Sequence, residues 1–312
     1  MMNKIKTHHI LVLFMSLAIS GCVYKVANYD YTDLHPYSPE LESDFLTQEN
    51  LDPPYAALFE THDSQILYIA ADHTIGQKSE TFSLINKAFL EYHPDFVIIE
   101  GLEENRGESP KKIIDYINHT CLPGSNYSEG LWAAHLATTN KLKFIGGEPS
   151  DQEIYKALTA LNYTKKDFVF FYFVQQLPHY FREGKFKSEN DLSKLLALWL
   201  QEWNATELTY LDFKNWYEKE MNLKVSYKDL IDSNTTAPIK NGTSLHQLSS
   251  KISVIRDKHI ISVILKSLTT HKKILIVYGH SHFPTQKDVL TQYLGQPKFI
   301  RSNAEIKLKD NL

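Results

Sequence analysis

Four short apolar runs, each ending in a residue able to do acid–base or ligand chemistry, constrain this chain more than any other feature. Gln65-Ile66-Leu67-Tyr68-Ile69-Ala70 leads into Asp72-His73. Asp95-Phe96-Val97-Ile98-Ile99 ends in Glu100, Lys143-Phe144-Ile145-Gly146-Gly147 in Glu148, and Lys273-Ile274-Leu275-Ile276-Val277-Tyr278-Gly279 in His280. Runs this short and this rich in β-branched residues, with no polar alternation, read as strands covered on both faces. Helical spacing fills the gaps: Phe82, Ile85, Phe89 and Leu90 within Ser79–Tyr92, then a segment through Trp132 and Leu136, then roughly Ser253 to Leu268. Strands alternating with helices predict an α/β fold, a mainly parallel central sheet flanked by helices.

The strand signal fades from about 151 to 250. Phe168 to Tyr180 is strongly aromatic, Leu192 to Trp203 and Leu211 to Met221 have helical spacing, and Asn234–Pro238 and Asn241–Thr243 are turn-like. This stretch is expected to be a mostly helical insertion in a single α/β domain of residues 61–312. The aromatic run is most simply a buried helix.

The N-terminus carries a different signal. Lys4 and Lys6 precede an apolar run from Ile10 to Ile19 that is shorter than the ~20 residues a spanning helix needs. A basic stretch, a short apolar core and small residues at a cut site make an export signal. Ile19-Ser20-Gly21-Cys22 resembles the lipobox of bacterial lipoproteins. That resemblance implies a signal peptide over 1–21, acylation of Cys22, and a membrane-anchored chain; Val23 after the cysteine favours the outer membrane. Residues 22–60, rich in Tyr, Asp, Pro and Glu, are expected to be a lipid anchor and tether. The formal charge of −4 argues against a nucleic-acid partner, which requires a basic face. Cys121 has no second cysteine to pair with once Cys22 is acylated.

In an open α/β sheet, ligands bind outside the carboxyl ends of the strands. Parallel neighbouring strands would therefore gather His73, Glu100, Glu148 and His280 in one crevice. His282 lies two residues past His280, on the same face if the backbone stays extended. Two chemistries fit such a cluster. Neutral imidazoles and carboxylates can hold a divalent metal that activates water. Without metal, a histidine can act as general base on water, oriented by a glutamate. Each terminus also has a plain structural use; Glu148 before Pro149-Ser150-Asp151, for example, fits the approach to a capped helix. No HExxH, GxSxG, Walker or GxGxxG pattern is present.

His73 after a strand, the Ile-Ile-Glu100 strand end, Ile255-Arg256-Asp257 before a helix, and Tyr278-Gly279-His280-Ser281-His282 resemble the TraB/Tiki/GumN family, part of a wider group with erythromycin esterases and haem-binding ChaN proteins. The likeness covers residues 66–105 and 250–300 and, loosely, 144–151. In it, Gly279 and His282 take the Gly-x-x-His positions, while Ala70-Ala71-Asp72-His73 lacks the first glycine. The family implies a metal-dependent hydrolase, which the lipobox would hold at the membrane, acting on a peptide, ester or other small-molecule substrate. His73, Glu100 and His282 would be central and Arg256 would sit at a helix start facing the crevice. Joined to the strand-end residues, this gives an expected ligand set of His73, Glu100, Glu148 and His282, with His280 in reserve, for zinc, manganese or cobalt. The alternative implied by ChaN relatives is a non-catalytic lipoprotein that binds haem. Glu103 and Arg106 read as a local helical ion pair.

Overall fold

The computed structural model describes residues 34–73, 79–103, 114–117, 119, 128–224, 230–239 and 242–301. The expected signal peptide, Cys22, Cys121, Arg106 and the Glu103 side chain lie outside that description.

Six strands form one sheet: β1 (Tyr55–Glu60), β2 (Gln65–Ala71), β3 (Phe96–Glu103), β4 (Lys143–Glu148), β5 (Lys273–Gly279) and β6 (Lys298–Ile300), in the order β4-β3-β5-β2-β1-β6. β4, β3, β5 and β2 are mutually parallel, and β1 runs antiparallel to both β2 and β6. The expected α/β architecture is therefore present, with all four sequence-read runs as adjacent parallel strands. β5 comes late in the chain yet lies between β2 and β3. The carboxyl ends of β2, β5, β3 and β4 thus stand side by side, as at a topological switch point.

The central strands β2 and β5 and the first half of β3 bury both faces, so their alternate residues belong to different cores. Tyr68, Ile98, Ile276 and Tyr278 face α1 (Pro39–Glu49), α8 (Ser244–Ser267) and α9 (His282–Leu294). Leu67, Ile69, Val97, Ile99 and Val277 face α2 (Glu80–Lys87), the π turn Ala88–Tyr92 that continues it, and α3 (Glu129–Thr139). At the opposite, amino end, the Asp95 carboxylate accepts from the N–H groups of Lys272 and Lys273, at 2.9 and 3.2 Å, which pins β3 to β5.

The insertion is helical, as its spacing indicates: α4 (Asp151–Ala160), α5 (Lys165–Arg182), α6 (Glu189–Glu202) and α7 (Tyr210–Met221). Capping boxes start α4 (Ser150 with Glu153), α5 (Thr164 with Asp167) and α7 (Thr209 with Asp212), each satisfying backbone donors that a helix start leaves open. The aromatic run is the buried face of α5: Phe168, Phe170, Phe171 and Phe173 are all at least 98 % buried. The Trp199 indole donates to the Val169 carbonyl and that of Trp216 to Asp167, tying α6 and α7 to α5. These helices close over Leu245, Leu248 and Ile252 of α8, so the long helix joins the insertion's core to the sheet.

Two expectations about extent are corrected. Residues 22–60 were expected to lack regular structure, but Pro39–Glu49 is helical and Tyr55–Glu60 is a sheet strand. Pro39 opens that helix under a Ser38 cap, and β1 is buried through its first five residues; neither has the period of an amphipathic surface element. Likewise the helix expected from Ser253 starts at Ser244, which puts Arg256 in mid-helix. Among the described residues no helix is long and apolar enough to cross a membrane.

Register slips between Ile99 and Glu103, where Gly101 takes φ +83°, a value that suits glycine. This bulge lays the Leu102 carbonyl over Gly146 of β4, where a Cβ would overlap it. Backbone cannot yield as a side chain can. Gly146→Ala is therefore expected to destabilise the fold by about 3 kcal/mol, read as a lower urea midpoint with an unchanged slope.

Candidate functional site

Glu100 leaves β3 on the sheet face that carries Ile98, at the bulge, and its side chain is only 22 % exposed. A carboxylate held this far from water requires donors. On one oxygen, Oε2, the Gly279 N–H donates at 2.7 Å, and His73 Nε2 lies 3.9 Å away. On the other, Oε1, His282 Nε2 and Arg256 Nη2 both stand at 3.4 Å. Burial alone would raise the Glu100 pKa. The contact with His282 and the charges of His282, Arg256 and His73 outweigh it and hold the carboxyl well below the usual carboxylate range.

Gly279 has a steric reason to be glycine. A Cβ there would come within 2.5 Å of His73 Nε2 and 3.3 Å of Glu100 Oε2. The missing side chain is what lets β2's histidine and β3's glutamate meet across β5.

His282 is the first residue of α9 and is almost fully buried. Its Nδ1 lies 2.8 Å from Oδ1 of Asp257, which is wholly buried on α8. An ionised carboxylate only accepts, so this ring nitrogen donates. Asp257 Oδ1 also accepts from Gln286 Nε2 at 2.7 Å, and the Tyr68 hydroxyl donates to Gln286 Oε1 at 3.2 Å. With carboxylates facing both ring nitrogens, His282 is an imidazolium. Burial opposes this, but the charge and hydrogen bond of Asp257, with Glu100 beyond, push its pKa up to about 10.

Arg256 is fixed by a two-point bond to Glu148, Nε to Oε2 and Nη2 to Oε1, both 2.8 Å. This fork-to-fork geometry is the strongest form of such a pair. Glu148, expected as a metal ligand, instead anchors the guanidinium beside Glu100.

His280 does not join the group. Its N–H donates to the Ala71 carbonyl at 2.9 Å and the chain turns into α9, so residues 280 and 282 are not on one extended face. The His280 ring pairs with Glu42 of α1, whose other oxygen accepts from the Tyr37 hydroxyl at 2.7 Å. It serves to dock the N-terminal helix.

As placed, the expected metal ligands do not form a ligand set. His280 pairs with Glu42, and Glu148 is bonded to Arg256. Among the described residues, no three His, Cys, Asp or Glu side chains are grouped to hold a metal ion.

Two acids were missed by sequence reading. Asp257 was quoted only as part of the Arg256-Asp257 pair. Glu129, the first residue of α3 after its Ser128 cap, is 7 % exposed, and its Oε1 lies 3.4 Å from His73 Nδ1. The Glu129 contact raises the His73 pKa, with burial opposing it and the Glu100 charge adding to it. Nothing in the sequence marks this acid, because helix starts attract acids anyway.

The group opens into two cavities of about 210 Å³ each. One is bounded by Ala71, His73, Glu100, Ser128–Gly130 and Gly279; the other, on the insertion side, by Tyr37, Phe171, Gln175, Ser253, Arg256 and His282. A larger hollow beside α1 contains His280 but none of the other site residues.

No protein-family model, curated protein or solved structure matches this chain.

His282 has an ordinary value of 6.5 and a raised one of about 10. Its protonation therefore contributes stability that is complete below about 6.5 and is lost as pH rises through about 10. The melting temperature is expected to fall across that window. Asp257→Asn, which removes the buried counter-charge, should flatten the fall and cost about 3 kcal/mol, measured by thermal and urea unfolding at several pH values.

Proposed function

We propose that this chain is a hydrolase of a small ester or peptide whose water is activated by His73 rather than by a metal. The observation that carries the reading is the division of Glu100: an accessible imidazole near one oxygen, two fixed cations on the other. His73 is the accessible member, its side chain 60 % exposed at the cavity. The 3.9 Å between His73 Nε2 and Glu100 Oε2 is too long for a direct hydrogen bond, and a water placed beside them would reach both.

In this reading, His73 Nε2 takes a proton from that water as its oxygen attacks the substrate carbonyl. The carbonyl π electrons move to oxygen, giving an oxyanion whose charge is offset by the Arg256 guanidinium and the His282 imidazolium on the far side of Glu100. On collapse of the tetrahedral species, the leaving alkoxide or amine takes the proton back from His73. Glu100 keeps its charge throughout and holds the three basic groups around the reacting atoms. Asp257 and Glu148 keep His282 and Arg256 charged and aimed.

The TraB/Tiki/GumN resemblance supports a hydrolase at the envelope, and the arrangement of side chains favours the metal-free branch of that chemistry. Acylated Cys22 would hold the enzyme to the membrane, with the short stretch before α1 as its tether. The hydroxyls of Tyr37, Thr236, Ser249 and Ser253 and the carboxamide of Gln175 in the insertion-side cavity suit an uncharged, hydrogen-bonding substrate body.

The protein dialysed against chelator is expected to cleave p-nitrophenyl acetate or a peptide library member at the rate of the untreated protein. His73→Ala should lower kcat by about 10²–10⁴-fold, the usual worth of a general base, with little change in melting temperature. Loss of activity on chelation with recovery on zinc, manganese or cobalt would overturn the metal-free reading. A Soret band in the purified protein would replace it with haem carriage.

A further inference from the structure

We propose that Glu129 is the positioning residue of the His73 base, fixing which ring nitrogen carries the proton and which faces the cavity. The inference rests on reading His73 as the base, and it concerns a residue that no motif assigns. A neutral imidazole can act as a base only through the nitrogen without hydrogen, and that choice is set by what the other nitrogen bonds to.

Glu129 meets the requirement through its surroundings. Its carboxylate is buried and lies 3.4 Å from Nδ1, while Nε2 sits over Gly279 on the Glu100 side. A carboxylate only accepts, so Nδ1 keeps its hydrogen and Nε2 its lone pair. The helix start that bears Glu129 is held tightly. Ser128 Oγ accepts from the Leu131 N–H at 3.3 Å, and a Cβ on Gly130 would stand 2.9 Å from the Glu100 carbonyl. Gly130 therefore lets α3 press against the β3 bulge, which delivers Glu129 to the end of β2. The charged groups that reach His73 are Glu129 from α3, Glu100 from β3 and His282 from α9. Of these, Glu129 alone stands at Nδ1 among the contacts of the described residues. Glu129 acts through His73 alone: its carboxylate, 3.4 Å from Nδ1, stabilises the imidazolium that forms while the base holds the water's proton.

The test is nitrogen NMR of the imidazoles in the full folded chain, with His73 assigned by its loss in His73→Gln, at a pH where the ring is neutral. The wild-type ring is expected to carry its hydrogen on Nδ1. In Glu129→Gln, whose carboxamide can donate to Nδ1, the hydrogen should move to Nε2. With p-nitrophenyl acetate as probe, kcat should fall about 10²–10⁴-fold with KM little changed. Should Glu129→Gln not fold, Glu129→Asp keeps the charge at the helix start but draws the carboxylate back, and the same shift of tautomer is expected. An unchanged tautomer in the folded variant, or an unchanged kcat, overturns the proposal. If the wild type cleaves no ester, the hydrolase reading fails by itself, and the tautomer measurement still decides whether Glu129 orients His73.

Discussion

A carboxylate withdrawn from water has to be surrounded by donors and positive charge, and Glu100 imposes that demand on the whole carboxyl end of the sheet. Its charge is met by one backbone N–H, one guanidinium and two imidazoles, drawn from β5, α8, α9 and the loop after β2. Each of those partners then needs its own support. His282 requires Asp257, Asp257 is shared with Gln286, and Gln286 reaches Tyr68 in the core. Arg256 requires Glu148. The result is a chain of paired charges running from the sheet into both helical layers. Removing any one member leaves its neighbour buried without a partner, which costs more than the pair contributes.

Topology makes this possible. β5 lies between β2 and β3, so the ends of strands distant in sequence are adjacent in space. Gly279 then removes the one side chain that would separate His73 from Glu100. The insertion adds a second wall without disturbing the arrangement, because its core continues along α8, the helix that carries both Arg256 and Asp257. Glu100 is therefore enclosed by its partners while His73 stays accessible.

Much of this was legible in the sequence. The four apolar runs are the four parallel strands, because short β-branched runs with no polar alternation have few other places to go. His73, Glu100 and Glu148 come together at their carboxyl ends, whereas the fourth expected residue, His280, pairs with Glu42 and does not. His282, Arg256 and Glu100 do meet. Less was legible where a residue has an ordinary local role as well. Glu129 resembles any acid at a helix start, and α1 and β1 carry no period of their own. His280 matches the spacing of a ligand as well as His282 does, and only the turn into α9 separates the two.

The sequence by itself determined the class of fold, the four parallel strands, the helical insertion and the residues that could carry charge at the sheet's end, since local spacing encodes which faces are buried. Only the tertiary structure decided how those charges pair. Glu148 bonds Arg256 instead of standing open as a ligand, and His280 turns to Glu42 while His282 turns to Asp257. Glu129 comes to His73 from a different helical layer. The reason is physical. Pairing depends on distances of a few ångströms between elements that lie far apart along the chain, and those distances exist only once the sheet has assembled.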